Sequence, residues 1–136
     1  MATRIACRIW AGPCSALGLV FAALIVSFGG TARRIQGALE VSWHADTAAP
    51  SFWERRWPFS ALTLGHVIIG TSPARLAEVR VHEHVHVRQY ERWGIFFLVA
   101  YPLSSLVQLL KGRRPYWDNR FEVQAYAAQR RETHEA

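Results

Sequence analysis

Cysteine is scarce in this chain and confined to one end. Of 136 residues only Cys7 and Cys14 are cysteines, so neither a disulfide framework nor a cysteine zinc site is available to the body of the protein. Any metal bound there must be held by histidine and carboxylate. Lysine is scarcer still: Lys111 stands alone beside fifteen arginines. The net charge of +6 and pI near 10.1 are strongly basic. The arginines, however, are scattered from Arg4 to Arg131 with no recognised nucleic-acid motif, so no nucleic-acid partner is expected. Charged residues make up only 19% against 51% hydrophobic ones, with six Trp and seven Phe, which excludes a disordered chain. The length is that of one domain and argues against a two-domain enzyme with a large substrate cleft.

A long stretch also lacks charge altogether. From Ile9 to Ala32 there are 24 residues without a charged side chain, preceded by Arg4 and Arg8. The run is long enough for a transmembrane helix, and its basic start, apolar middle and small-residue end at Gly30-Thr31-Ala32 also suit a cleavable signal peptide. Full spanning length favours the uncleaved anchor, giving residues 1–32 as leader and 33–136 as the folded domain. The chain is therefore expected in a membrane by a single N-terminal anchor, or exported if the leader is removed. Cys14 precedes the apolar run, the wrong place for lipidation. Arg4 and Arg8 on one flank balance Arg33 and Arg34 on the other, so orientation stays open.

In the remainder, Gly37 to Trp43 reads as a short strand, His44 to Ser51 as a loop, and Phe59 to Gly70 as a second strand, β-branched at its end. Thr71-Ser72-Pro73 supplies a helix start, with a capping hydroxyl and a proline at the first helical position. The helix should run from Pro73 to about Trp93 and stop at Gly94. Ile95 to Leu110 is sixteen uncharged residues, short for spanning, and reads as a buried core helix that at most rests on a membrane surface. A last helix should begin near Asn119 and fray into Arg130-Arg131-Glu132. The fold class expected is α+β: an N-terminal hydrophobic helix, short strands, then three helices.

The first of those three helices contains His82-Glu83-His84-Val85-His86. Histidines four apart sit one turn above each other on one helical face, spaced to hold a single Zn2+, and the intervening Glu83 is placed to deprotonate a water that zinc activates. At 100° per residue, Val79, His82, Glu83, His86, Tyr90 and Trp93 share an arc of about 100°, while Arg80, His84, Arg88, Glu91 and Arg92 lie opposite. His84 therefore points away from any metal. The alternative is a pair of surface histidines, with Glu83 paired to Arg80 or Arg88.

Catalytic zinc takes three protein ligands and leaves one position open, and His, His, Glu is a known set. Glu122 is the candidate third ligand. Counting helical rise up to Trp93, down through Leu110 and back one turn brings Glu122 to within about 5 Å of the level of His82. The competing role is a capping box with Asn119, in which the Glu122 carboxylate satisfies only a backbone N–H. Weaker candidates for support or for stabilising an oxyanion are Tyr126, one turn past Glu122, Asp118 as a possible orienter of a ligand histidine, and His66 in the preceding strand. Tyr90 and Tyr116 are further phenols whose ordinary role is packing.

His82-Glu83-x-x-His86 followed by Asn119-x-x-Glu122-x-x-Ala125 resembles the gluzincin zinc metallopeptidases, particularly their minimal and membrane-associated members. His84 to Gly94 with Tyr116 to Glu122 is also similar to a group of small bacterial proteins with an N-terminal hydrophobic segment. The resemblance covers about Leu62 to Ala128. It implies a minimal gluzincin-like three-helix core, zinc held by His82, His86 and Glu122, Glu83 as general base and acid, and a peptide or protein substrate. Tyr126 stands where many membrane-type relatives carry an Asp that supports a ligand histidine.

Two readings follow. One is a membrane-associated zinc metallopeptidase. The other is a non-catalytic membrane-anchored protein, its metal structural or absent, that binds lipid headgroups or a protein partner through Arg33, Arg34, Arg55, Arg56, Arg113 and Arg114 with Trp53, Trp57 and Trp117 nearby. A fourth protein ligand from His84, His66 or Asp118 would close the site and decide for the second.

Overall fold

The computed structural model describes residues 2–43 and 60–135. The expected loop from His44 to Ser51, the start of the second strand at Phe59, and Trp53, Arg55, Arg56 and Trp57 lie outside those residues. The fold is mixed α and β. Two N-terminal helices, α1 (Ala2–Trp10) and α2 (Gly12–Ser27), lead into strands β1 (Thr31–Ile35), β2 (Ala38–Ser42), β3 (Ala61–Leu64) and β4 (Val67–Gly70). Helix α3 (Pro73–Trp93), a 3-10 turn (Gly94–Phe96), α4 (Phe97–Leu110) and α5 (Arg120–Glu135) follow.

The sheet order is β1-β2-β4-β3, antiparallel except for the parallel β2–β4 pair. Two tight turns build it. Gln36 and Gly37 both take positive φ (51° and 89°) between the paired residues Ile35 and Ala38, the requirement of a two-residue hairpin whose twist matches its strands. Leu64 pairs with Val67 across Gly65-His66, with Gly65 at φ 61°. The single strand expected up to Gly70 is therefore a hairpin: the β-branched run continues through a turn that only Gly65 marks. Strand β1 lies where the sequence reads as the end of a leader; its Thr-Ala-Arg-Arg-Ile has no apolar alternation to signal it.

Alternation sends successive strand residues to opposite faces. Val41 and Val67, with Leu39 and Ile69 beside them, pack against Ala22 and Ile25 of α2. Ala38 and Ile68 face the other way, against Leu76 and Val87 of α3. The sheet is thus sandwiched between α2 and α3. Helix α2 comes close: a Cβ on Gly18 would lie 2.7 Å from Val67 Cβ and 2.9 Å from the Leu64 carbonyl oxygen. A third cluster joins Ala11 and Cys14 to Tyr90, Phe97 and Phe121.

The boundaries of α3 match the sequence reading: Ser72 Oγ accepts from Arg75 N–H, Pro73 opens the helix, and Gly94 ends it at φ 57°. Helix α5 starts at Arg120 beside Asn119 as expected but stays helical to Glu135, without fraying at Arg130. Two expectations need correction. Helix α4 is not a buried core helix: Phe97 alone among its residues is buried, because α5 covers only one side of it. The stretch long and apolar enough to cross a membrane, judged by length and composition, is internal, Pro73–Leu110, whereas the N-terminal α2 is a shorter apolar helix. The uncharged run at the N-terminus overstates its helix because it includes the turn after Ser27 and the first two residues of β1.

Candidate metal centre

Helix α3 lays His82, Glu83 and His86 against the sheet and α5, and all three are buried. His82 Nε2 and His86 Nε2 are 3.2 Å apart. Glu122 Oε2 lies 3.1 Å from His82 Nε2, and Glu122 Oε1 lies 3.3 Å from His86 Nε2. Ligands about 2.05 Å from a tetrahedral ion are separated by about 3.3 Å, the edge of the tetrahedron. The two imidazole nitrogens therefore have the separation a zinc ion requires, and with one carboxylate oxygen of Glu122 the three ligand atoms all lie within 4.8 Å of one another. Donor chemistry agrees, since two imidazoles and a carboxylate face one another in a buried cluster. Among the described residues, this triad is the only group of three or more His, Cys, Asp or Glu side chains with converging ligand atoms.

Glu122 does not cap its own helix. The Asn119 N–H that a capping box would offer it goes instead to the Tyr116 carbonyl, 3.1 Å away, and Asn119 Oδ1 takes over capping by accepting from Phe121 N–H at 3.0 Å. Asn119 Nδ2 donates to the Tyr101 carbonyl and to Ser105 Oγ, tying the start of α5 to α4. The carboxylate is left free to face α3, where Tyr101 Oη donates to Oε1 at 2.6 Å. Burial pushes the Glu122 carboxyl up, but hydrogen bonds to His82 and His86, the His86 charge and the Tyr101 hydroxyl outweigh it and hold the group well below the usual carboxylate range. For His86, burial pulls the imidazole down, while the hydrogen bond to Glu122 and the charges of Glu83 and Glu122 prevail and raise it.

Besides Tyr101, two further residues that the sequence did not single out contact the site, Gln89 and Thr63. Gln89 Oε1 sits 2.8 Å from His86 Nδ1, so a neutral His86 with its proton on Nδ1 would have Nε2 as the atom offered to a metal. The Gln89 amide is fixed in turn by Nε2 donating to the Phe121 carbonyl and Gln124 Oε1. Thr63 Oγ1 on β3 donates to Glu83 Oε2 at 2.7 Å, within the buried layer. Gln89 is three residues from His86, a spacing that marks shared helical faces. Nothing in the sequence links Thr63 or Tyr101 to the site, since both arrive by tertiary packing.

The weaker candidates separate. Tyr126 is at the site, its ring 4.4 Å from that of His82 and its hydroxyl 3.2 Å from Tyr116 Oη. Asp118 is not: its carboxylate accepts from the Arg114 backbone N–H and guanidinium, at the turn before α5. His66 is not either, because the hairpin turn carries it toward Ser15 Oγ (3.1 Å) and Glu91 Oε1 (3.0 Å). His84 lies on the Arg80 and Arg88 side of α3; burial lowers its imidazole, partly offset by the charge of Glu40. None of His84, His66 and Asp118 supplies a fourth ligand. Tyr90 packs edge-on to Phe97 in the core. Comparison with protein-family models, curated proteins and solved structures gave no significant match.

Proposed function

We propose that this protein is a membrane-associated, zinc-dependent peptide hydrolase. The observation that carries the reading is the buried triad of His82, His86 and Glu122, with one ligand atom from each all within 4.8 Å of one another and no fourth protein ligand among the described residues, beside a buried carboxylate at Glu83. His82, His86 and Glu122 would hold the ion. Zinc in such a site supplies Lewis acidity, polarising a carbonyl and making water more acidic. Glu83 takes the proton from the attacking water and delivers it to the departing amine, and the Thr63 hydroxyl, bonded to one carboxylate oxygen, leaves the other to do so. Gln89 fixes the tautomer of His86. Tyr126, whose ring meets that of His82 edge-on, is the phenol best placed to stabilise a developing negative charge. Strand β3, at the edge of the sheet among the described residues, carries Thr63 and so brings an extended peptide paired to it past Glu83.

The resemblance to gluzincin metallopeptidases supports the same reading. Its test is Glu83→Gln: hydrolysis of a peptide library should fall by about 10²- to 10⁴-fold while one zinc per chain is retained. Undiminished hydrolysis in that variant refutes the mechanism. A second reading, a non-catalytic membrane protein with a structural metal, is favoured by the burial of the three ligands, only 3 to 7% exposed. The cobalt-substituted protein separates the two: azide changes the visible spectrum if a coordination position is open to solvent and leaves it unchanged if the site is closed.

A further inference from the structure

A helix packed on a sheet should be apolar inside and polar outside. Helix α2 breaks that rule. Its inner face meets the sheet through Gly18, Ala22 and Ile25, yet its outer face is equally apolar, with Val20, Phe21 and Leu24 exposed. Helix α4 repeats the pattern: Phe96 just before it and Val99, Leu106 and Leu110 along it are exposed, Leu110 by 79%. The two apolar faces meet where the Trp10 ring packs 6.0 Å from that of Phe96, and both residues are exposed, by 47% and 60%. The result is an apolar surface that runs from one helix to the other, the kind of exposed patch that marks an interaction site.

Charge identifies what covers it. Residues 1–39, which contain α2, hold Arg4, Arg8, Arg33 and Arg34 but no Asp or Glu; residues 92–117, which contain α4, hold Arg92, Lys111, Arg113 and Arg114 and again no Asp or Glu. All ten acidic residues lie elsewhere. Basic groups at the ends of an apolar face match the anionic headgroups above acyl chains. A second copy of the chain would set those basic rims against each other. Trp93 and Trp117, both exposed beside these segments, are residues of the lipid–water boundary.

We infer that the outer faces of α2 and α4 lie together in one leaflet of an anionic bilayer, parallel to its surface, and that neither helix crosses it. Helix α2 has 16 residues and α4 has 14, about 24 and 21 Å of rise against a hydrocarbon core of about 30 Å. Lipid cannot surround α4, because its other side is occupied by the polar start of α5: Asn119 bonds to Tyr101 and Ser105, and Arg120 N–H donates to Ser104 Oγ. Nor can α3 extend it into a span, since Arg75, Glu78, Arg80, Arg88, Glu91 and Arg92 lie along that helix. This pose replaces a single N-terminal anchor. It rests on the membrane half of the proposed function and is independent of the zinc chemistry.

The test uses the full chain bound to sealed vesicles of phosphatidylcholine containing phosphatidylglycerol. Single cysteines at Gly12→Cys, Ser27→Cys, Arg92→Cys and Arg113→Cys mark both ends of both helices in a Cys7→Ser, Cys14→Ala background, and a membrane-impermeant maleimide is added outside. The expected result is labelling of all four from the same side. Labelling of the two ends of either helix from opposite sides overturns the pose while leaving the membrane reading standing. Failure of the unsubstituted chain to float with the vesicles removes both. A measurement free of folding artefacts accompanies it: tryptophan fluorescence of the unsubstituted chain should be quenched more by lipids brominated near the headgroup than by those brominated at the acyl terminus, and the reverse order contradicts an interfacial pose. Val20→Glu and Val99→Glu should each weaken flotation by about tenfold, with Leu62→Glu, equally exposed but on β3, unchanged.

Discussion

The two faces of the sheet are filled in opposite ways. On the α2 side the packing is Ala22, Ile25, Val41 and Val67, with a glycine where the helix comes closest. On the α3 side the buried layer includes Glu40, Thr63, His82, Glu83, His86, Gln89 and Glu122. Burying ionisable groups costs several kcal/mol each unless they are paired, and here each has a partner: Glu40 with Arg80, Thr63 with Glu83, Gln89 with His86, and Glu122 with both histidines. Such a layer is a poor way to stabilise a small domain and a good way to hold a cation. The difference divides the molecule: α2 gives the sheet an apolar backing, and α3 with α5 gathers the side chains that could hold a metal ion.

Metal removal should affect only the α3 side, and by the largest amount. Zinc at about a thousand times its dissociation constant stabilises a folded state by about 4 kcal/mol, so chelation should lower the unfolding free energy by that much in a denaturant titration. An unchanged curve means that the polar layer stands without an ion. On the α2 side, Gly18→Leu forces a side chain into Val67 and the Leu64 carbonyl. It should cost about 2 kcal/mol of stability without altering zinc per chain, and a loss of metal there would show that the two faces are not independent.

Gln89→Ala removes the bond that fixes His86 and should weaken zinc by about 10- to 100-fold, read by competition with a chromophoric chelator; wild-type affinity would mean that the tautomer is set by other contacts. The smallest effect belongs to Asp118→Asn. Its carboxylate serves Arg114 at the surface, so zinc affinity should stay within experimental error, and a clear fall would return Asp118 to the metal site.

Helix α3 was legible because its signals are local: Ser72-Pro73 and Gly94 set its ends, helical spacing put His82, Glu83 and His86 on one face, and Glu122 followed from counting turns. What escaped is set by contacts between distant segments. Thr63 and Tyr101 are ordinary strand and helix residues until folding brings them to Glu83 and Glu122. His66 stands in an apolar run that conceals a turn, and the turn sends it to Ser15 and Glu91. The apolar run Ile95 to Leu110 suggested a core helix because hydropathy records what a segment avoids, not whether protein or lipid covers it.

Zinc per chain, measured by elemental analysis on the full-length protein beside Glu122→Gln, tests the central claim most directly. About one zinc in the wild type and none in the variant is the result predicted for a triad of His82, His86 and Glu122. No zinc in the wild type, or equal zinc in both proteins, contradicts it.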